Sequence, residues 1–251
     1  MARPSLLALA SFPLLASVAL GPAAPARAEA DFRFDFEAGA AWQARNTFAV
    51  PGDGGTRVDL DGTAEAFAFR GTLIWDFGEL WSARLVAAPL STETDFVRDT
   101  PVEFDGATFP AGAALTQGYS FDSYRLSLFR RFDPDGPWSL RAGFTAKVRS
   151  AAIRLEGAGQ SAERDDLGLV PLFYGGARWE GSGPLAFDAE LDALAGPQGR
   201  AVDLALRLEW RATDRFRPYL AYRLLDGGAD NDEVLSFATF HYALAGASYR
   251  F

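Results

Sequence analysis

The sequence has 251 residues, of which 24 are Lys or Arg and 33 are Asp or Glu, so the formal net charge is −9. An acidic chain of this kind is a poor candidate for nucleic-acid binding. Cysteine is absent, which excludes a disulfide framework, a thiolate metal site and a lipidated cysteine. The 14% aromatic content and the 25 glycines suit a soluble all-β protein and a membrane β-barrel equally well.

The first 28 residues have the three-part layout of a secretory signal peptide. Arg3 precedes an apolar run from Leu6 to Leu20, and the segment ends on "ARA" at Ala28. The apolar run is shorter than the roughly 20 residues that a membrane-spanning helix needs. We therefore predict a signal peptide at 1–28 and one mature domain at 29–251. A retained anchor helix is the alternative.

Ten segments alternate between an apolar and a polar residue, which is the period of a strand with two unlike faces. The fifth is the clearest, because Trp138, Phe144 and Val148 share an uncharged face. The sixth is the weakest, so barrels of eight or twelve strands stay open. In chain order the segments span 32–43, 66–75, 81–90, 123–132, 138–149, 171–179, 185–195, 202–211, 217–225 and 241–251.

The connections between these segments alternate between tight turns and longer polar loops. The turns "DFGE", "DPDGP", "GSGP" and "ATDR" contain the Gly, Pro and Asp that tight turns require. Short turns at one end and longer loops at the other are typical of a transmembrane β-barrel. We predict an all-β fold, a single antiparallel transmembrane β-barrel of about ten strands. The predicted longer loops are 46–63, 91–118, 155–167, 196–200 and 226–236.

The polar faces of the predicted strands carry charged side chains that point into the lumen of such a barrel. Opposite charges on facing strands either line a pore or pair with one another as a structural plug. Ten strands enclose little more space than the eight that side chains can fill, which favours the plug. The predicted lumen-facing charges are Arg70, Arg84, Arg125, Arg141, Lys147, Arg149, Arg178, Asp188, Glu190, Asp192, Asp203, Arg207, Glu209 and Arg223.

All six tryptophans fall at the ends of predicted strands on the apolar face. They are Trp42, Trp75, Trp81, Trp138, Trp179 and Trp210. An aromatic girdle occupies this position at the two interfaces of a bilayer. The soluble alternative, a secreted β-sandwich or lipocalin-like barrel, would bury the apolar face. The tryptophans at strand ends favour lipid outside the barrel.

The sequence ends with the alternating segment "HYALAGASYRF", in which Tyr249 and Phe251 share the apolar face. This segment resembles the terminal strand of bacterial outer-membrane β-barrel proteins. The resemblance implies that the last strand closes the barrel against the first. It also implies a Gram-negative outer membrane with lipopolysaccharide, both termini on the periplasmic side, and recognition of Tyr249 and Phe251 by the barrel assembly machinery.

His241 is the only histidine, so any catalysis that needs an imidazole depends on it. Outer-membrane enzymes of similar size, such as omptin proteases and lipid A acylases or deacylases, pair a histidine with an acid or a serine. The stretch "FHYALAG" offers neither, and its alternation places His241 on the lipid-facing side. We therefore predict no catalytic residue and no cofactor.

The last predicted loop gathers Asp226, Asp230, Asp232 and Glu233. Carboxylates bind divalent cations, but the spacing of an EF-hand loop is missing. We expect a solvated acidic loop and no metal site.

These observations predict a passive outer-membrane protein, either a narrow channel for small solutes or a structural envelope component. Two alternatives stay open. One is an enzyme that acts on lipid or peptide through His241. The other is a surface interaction protein that uses the loops 46–63 and 91–118. The oligomeric state is not predicted.

Overall fold

The computed structural model describes residues 31–251 except Thr63, Pro134 and Gln198, and these residues form strands joined by turns and loops. No helix in this described part is long and apolar enough to cross a membrane. The predicted signal peptide at 1–28 lies outside the described residues.

Ten long antiparallel strands form a closed barrel, as the alternation predicts. The wall is built from β1, β3, β4 and β8 to β14, and β5 continues β4 along β8 after a break at Pro89 and Leu90. The strands are β1 (Asp31–Ala49), β2 (Val58–Asp59), β3 (Ala64–Phe77), β4 (Trp81–Ala88), β5 (Ser91–Val97), β6 (Val102–Phe104), β7 (Ala107–Phe109), β8 (Ala114–Phe132), β9 (Trp138–Gly157), β10 (Gln160–Glu180), β11 (Leu185–Gly196), β12 (Gly199–Trp210), β13 (Phe216–Asp230) and β14 (Leu235–Arg250).

The barrel closes where β14 pairs with β1, and this confirms the predicted role of the last strand. The ladder runs from Arg33 opposite Arg250 to Ala49 opposite Leu235. The backbone N–H of Phe251 donates to the carbonyl of Phe32 at 2.9 Å. Closure leaves no unpaired edge at this seam, which a membrane-spanning sheet requires because lipid offers no hydrogen bonds.

Apolar side chains cover the outside of the barrel and charged side chains fill its inside. In β9, Phe144 is 66% exposed, whereas the neighbouring Arg141 and Lys147 are only 8% and 3% exposed. A soluble protein would reverse this order, because large exposed apolar areas are unfavourable in water. The arrangement is that of a barrel whose outer surface faces lipid.

Several of the predicted loops are wrong, because the strands continue well beyond the apolar alternation. Strand β9 reaches Gly157 and β10 begins at Gln160, so most of the predicted loop 155–167 is a hairpin. The predicted loops 91–118 and 226–236 likewise contain parts of β5, β8, β13 and β14. Outside the membrane both faces of a strand can contact water, so the apolar alternation is lost there and charged pairs such as Arg154 with Glu163 lie on these strands.

A small hairpin formed by β6 and β7 closes one side of the barrel mouth at the loop end. Phe104 and Phe109 are 1% and 0% exposed, and the Phe104 ring meets that of Phe48 edge to face at 5.9 Å. The N–H of Asp105 donates to the carbonyl of Val50 at 2.9 Å, which ties this hairpin to the first loop. The two longest predicted loops therefore fold together as an apolar cap.

Gly143 marks a position where three strands pack tightly inside the barrel. It lies between Phe129 of β8 and Tyr174 of β10, whose ring centroids are 4.7 Å apart. A Cβ atom built at Gly143 would lie 2.1 Å from the carbonyl oxygen of Leu128. Because glycine has no side chain, the rings of Phe129 and Tyr174 can pack against the backbone of β9 at this position.

We predict that Gly143→Val lowers the free energy of unfolding by about 1–3 kcal/mol, the usual cost of overpacking. The measurement is urea unfolding of the refolded protein in detergent. Gly175→Val is the matched control, because a Cβ at Gly175 would meet nothing within 4 Å. Equal stability of the two variants would contradict this packing.

Candidate functional site

The lumen of the barrel contains a dense cluster of charged side chains. Among the described residues, seven basic and seven acidic side chains are buried there, and we call this set the ion-pair plug. It comprises Arg70, Arg84, Arg125, Arg141, Lys147, Arg207 and Arg223 with Asp35, Glu37, Asp188, Glu190, Asp192, Asp203 and Glu209. Of the predicted lumen charges, Arg149 and Arg178 lie at the two margins and are only half-buried.

Glu190 of β11 lies at the centre of the plug. It accepts hydrogen bonds from Arg84 at 3.2 Å, from Arg141 at 3.3 Å and from the hydroxyl of Tyr174 at 2.8 Å. Arg84 also donates to Asp192 at 2.6 Å and lies over the Tyr174 ring. The contacts join β4 to β9, β10 and β11 across the barrel axis.

A second group of contacts involves two acids on β1 that the sequence analysis did not include among the lumen charges. Asp35 accepts hydrogen bonds from Arg207 at 2.9 Å and from Ser248 at 2.6 Å. Glu37 accepts one from Tyr219 at 3.1 Å and lies 3.6 Å from Arg70. The signal was present, because Asp35 and Glu37 alternate with the apolar residues of the first segment.

The remaining plug residues extend this network toward both ends of the barrel. On the loop side, Asp203 pairs with Arg125 and with Arg223, whose Nε lies at 2.7 Å. On the turn side, Arg178 donates to Glu209 at 2.7 Å and lies 3.4 Å from Asp188.

The plug leaves little room for water. Arg84, Arg207 and Arg125 are between 1% and 3% exposed, whereas a water-filled pore would wet these guanidinium groups. Each of the six buried arginines has an acidic partner within 4.0 Å. This pairing is required, because an unpaired buried charge is strongly unfavourable.

A cavity of about 680 Å³ lies on the loop side of the plug, and we call it the outer cavity. Its floor contains Lys147, Asp192 and Asp203, and apolar side chains such as Leu172 and Leu194 form part of its wall. Charged pairs surround its rim, including Arg149 with Asp166 and Arg200 with Asp226. Sequence reasoning did not find this cavity.

The six tryptophans all lie on the outer surface of the barrel, between 38% and 56% exposed. Trp75, Trp81, Trp138, Trp179 and Trp210 lie near the tight turns. Trp42 lies farther along β1, where its ring stacks on His241 at 5.7 Å. The structure thus places five tryptophans at one end of the barrel and a Trp42–His241 pair nearer the other.

His241 faces outward, and its described partners are aromatic. Its Nδ1 lies 2.7 Å from the hydroxyl of Tyr222, beside the stacked Trp42. At the chain end, the Tyr249 and Phe251 rings are exposed and lie 5.1 Å apart.

The acidic residues of the last predicted loop are divided between separate contacts. Asp226 pairs with Arg200 and Glu233 lies 3.0 Å from Arg164. In the part of the chain that the structure describes, no group of three or more His, Asp or Glu residues is arranged to hold a metal ion.

We predict that Glu190→Gln lowers the free energy of unfolding by about 3–5 kcal/mol, because it leaves buried arginine charge uncompensated. Urea unfolding in detergent measures the change. Glu79→Gln is the control, since Glu79 is exposed in the turn between β3 and β4. A loss of stability no larger than that of the control would show that the plug charges are hydrated.

No protein-family model and no curated protein matches the sequence. Among solved structures, the outer-membrane protease OmpT from Escherichia coli is similar with a TM-score of 0.51 and 10% identity, over 88% of this chain and 97% of that one. The transport unit of the autotransporter AIDA-I from Escherichia coli gives a TM-score of 0.46 and 10% identity, over 90% and 92% of the chains. Ail of Yersinia pestis gives 0.37 and 13%, over 87% and 98%. The chain has a closed, ten-stranded β-barrel fold, and this is a fold of bacterial outer-membrane proteins.

Proposed function

We propose that this protein is a passive, non-conducting barrel of the outer membrane, a structural envelope component whose lumen is closed by its own side chains. The observation that carries the proposal is the burial of the plug arginines, which are only a few per cent exposed. A paired and dry charge cluster holds the barrel together and leaves no continuous water path.

The narrow-channel interpretation has less support. The outer cavity ends on Lys147, Asp192 and Asp203. Directly below, Asp192 accepts hydrogen bonds from Arg84, Arg125 and Thr145 at 2.6 to 3.0 Å. A solute at the floor would have to break several charge-assisted hydrogen bonds at once, and these are the stronger kind.

The proposal includes no catalytic role. His241 is held between an indole and a phenol on the outside of the barrel, without the acid or serine that an imidazole base would need. The proposed partners are outer-membrane lipids and lipopolysaccharide along the apolar surface, and the assembly machinery at Tyr249 and Phe251. The exposure of those two aromatic rings supports the last of these.

Single-channel recording of the refolded protein in a planar bilayer tests this proposal. We expect no discrete conductance steps from the unmodified protein, once its folding is shown by its mobility on an unheated SDS gel. The double variant Arg84→Ser with Glu190→Ser removes a basic and an acidic side chain from the centre, and we expect it to conduct. Regular steps from the unmodified protein would overturn the proposal.

A further inference from the structure

Lys147 is the only lysine in the sequence, since the other 23 of its 24 Lys and Arg residues are arginines. It lies on β9 and is 3% exposed. Arginine is the usual choice for buried ion pairs because its guanidinium forms several directed hydrogen bonds. Lys147 is therefore the exception among the seven basic side chains of the ion-pair plug.

The ammonium group of Lys147 has no acidic partner within 4.0 Å among the described residues, in contrast to all six buried arginines. Its described contact is the ring of Phe121, whose centroid lies 4.5 Å from Nζ. Lys147 also lines the floor of the outer cavity. A buried cation thus faces an open space with one aromatic ring beside it.

The acids around the outer cavity do not compensate this charge directly. Asp192 and Asp203 are bound by arginines of the plug. At the rim, three further acids pair with three arginines, namely Asp166 with Arg149, Asp226 with Arg200 and Glu233 with Arg164. Asp165 also lines the cavity, but it is exposed and shares the alternation of the outward-facing Leu167 and Leu169.

The wall of the outer cavity has a gap between β10 and β11. The ladder between these strands ends where Phe173 faces Ala193, although β10 continues along β9 up to Gln160. Pro171, which has no N–H to donate, lies just beyond the last pair. Val170, Leu172 and Leu194 line the cavity beside this gap.

The outer surface next to the gap is apolar. Leu167 and Leu169 of β10 are 74% and 71% exposed there. An unpaired sheet edge is not stable against lipid, because its backbone groups lack partners. We therefore expect polar groups or a ligand to satisfy the unpaired backbone groups at the gap. Apolar side chains lie beside the gap both on the outer surface and in the cavity.

We propose that the outer cavity binds a single-chain organic anion, with its head group on Lys147 and its apolar chain along Val170, Leu172 and Leu194 toward the gap. The cavity volume falls in the range of roughly 300–1,000 Å³ that is usual for small-ligand sites. An anion would give the buried ammonium the partner that it lacks. This binding is independent of the proposed closure of the lumen.

Isothermal titration calorimetry with dodecanoate tests the proposal, using the refolded protein in a non-ionic detergent and subtracting detergent alone. We expect saturable binding of one dodecanoate per chain, weakened by at least about tenfold in Lys147→Met, which corresponds to 1.4 kcal/mol. Dodecyltrimethylammonium, which has the same chain and the opposite charge, is expected not to bind saturably. Absence of saturable dodecanoate binding, or equal affinity in Lys147→Met, would overturn the proposal.

Arg200→Met is the matched control, because it removes an exposed cation from the rim of the same cavity. We expect it to change dodecanoate affinity by less than about twofold, as exposed charges contribute little. A purely structural Lys147 would instead show up as lost stability of Lys147→Met in urea with no change in binding, which contradicts the proposal.

The anion can come from water or from the membrane, and native mass spectrometry of protein extracted from cells distinguishes the two sources. A retained single-chain anion in the unmodified protein, missing from Lys147→Met, supports a membrane source. An empty cavity together with dodecanoate binding in the titration supports uptake from water. A two-chain lipid retained equally by both proteins would contradict a site centred on Lys147.

Discussion

The pairing of buried charges inside the barrel is the constraint on which the rest of the structure depends. The apolar faces of ten strands point outward, so their polar faces meet around the axis, where there is little water. Each arginine there needs an acid from another strand. Glu190 of β11 meets this need for both Arg84 of β4 and Arg141 of β9. The same contacts that neutralise charge also fill the centre of the lumen with side chains.

The alternation of apolar and polar residues made the ten strands and their outward faces predictable, and the resemblance of the last segment to the terminal strand of outer-membrane barrel proteins implied its closing role. It did not predict the partners inside. Asp35 and Arg207 form an ion pair across 172 positions of sequence, and only the closure of β14 on β1 brings them close. Strand register and barrel closure decide such pairs, and neither can be read from local periodicity.

The loop end of the barrel was harder to predict for a physical reason. Beyond the membrane the lipid no longer selects an apolar outer face, so strands such as β9 and β10 continue without the expected pattern. In this extended part of the barrel apolar side chains face inward instead of charged ones, since Phe240 and Tyr242 point inward and pack with the cap around Phe104. The outer cavity, with Lys147 at its floor and Phe240 in its lining, lies on the loop side of the charged plug.

The absence of cysteine from the sequence permits a direct measurement of whether the lumen is closed. Ser127 is 0% exposed within the plug, and the half-buried Ala201, which shares the inward face of β12 with Asp203, lines the outer cavity. Single Ser127→Cys and Ala201→Cys variants, reconstituted in vesicles, are treated with a small charged methanethiosulfonate reagent from both sides. A closed lumen predicts rapid modification at Ala201→Cys and none at Ser127→Cys. Modification of Ser127→Cys at a similar rate would contradict the account.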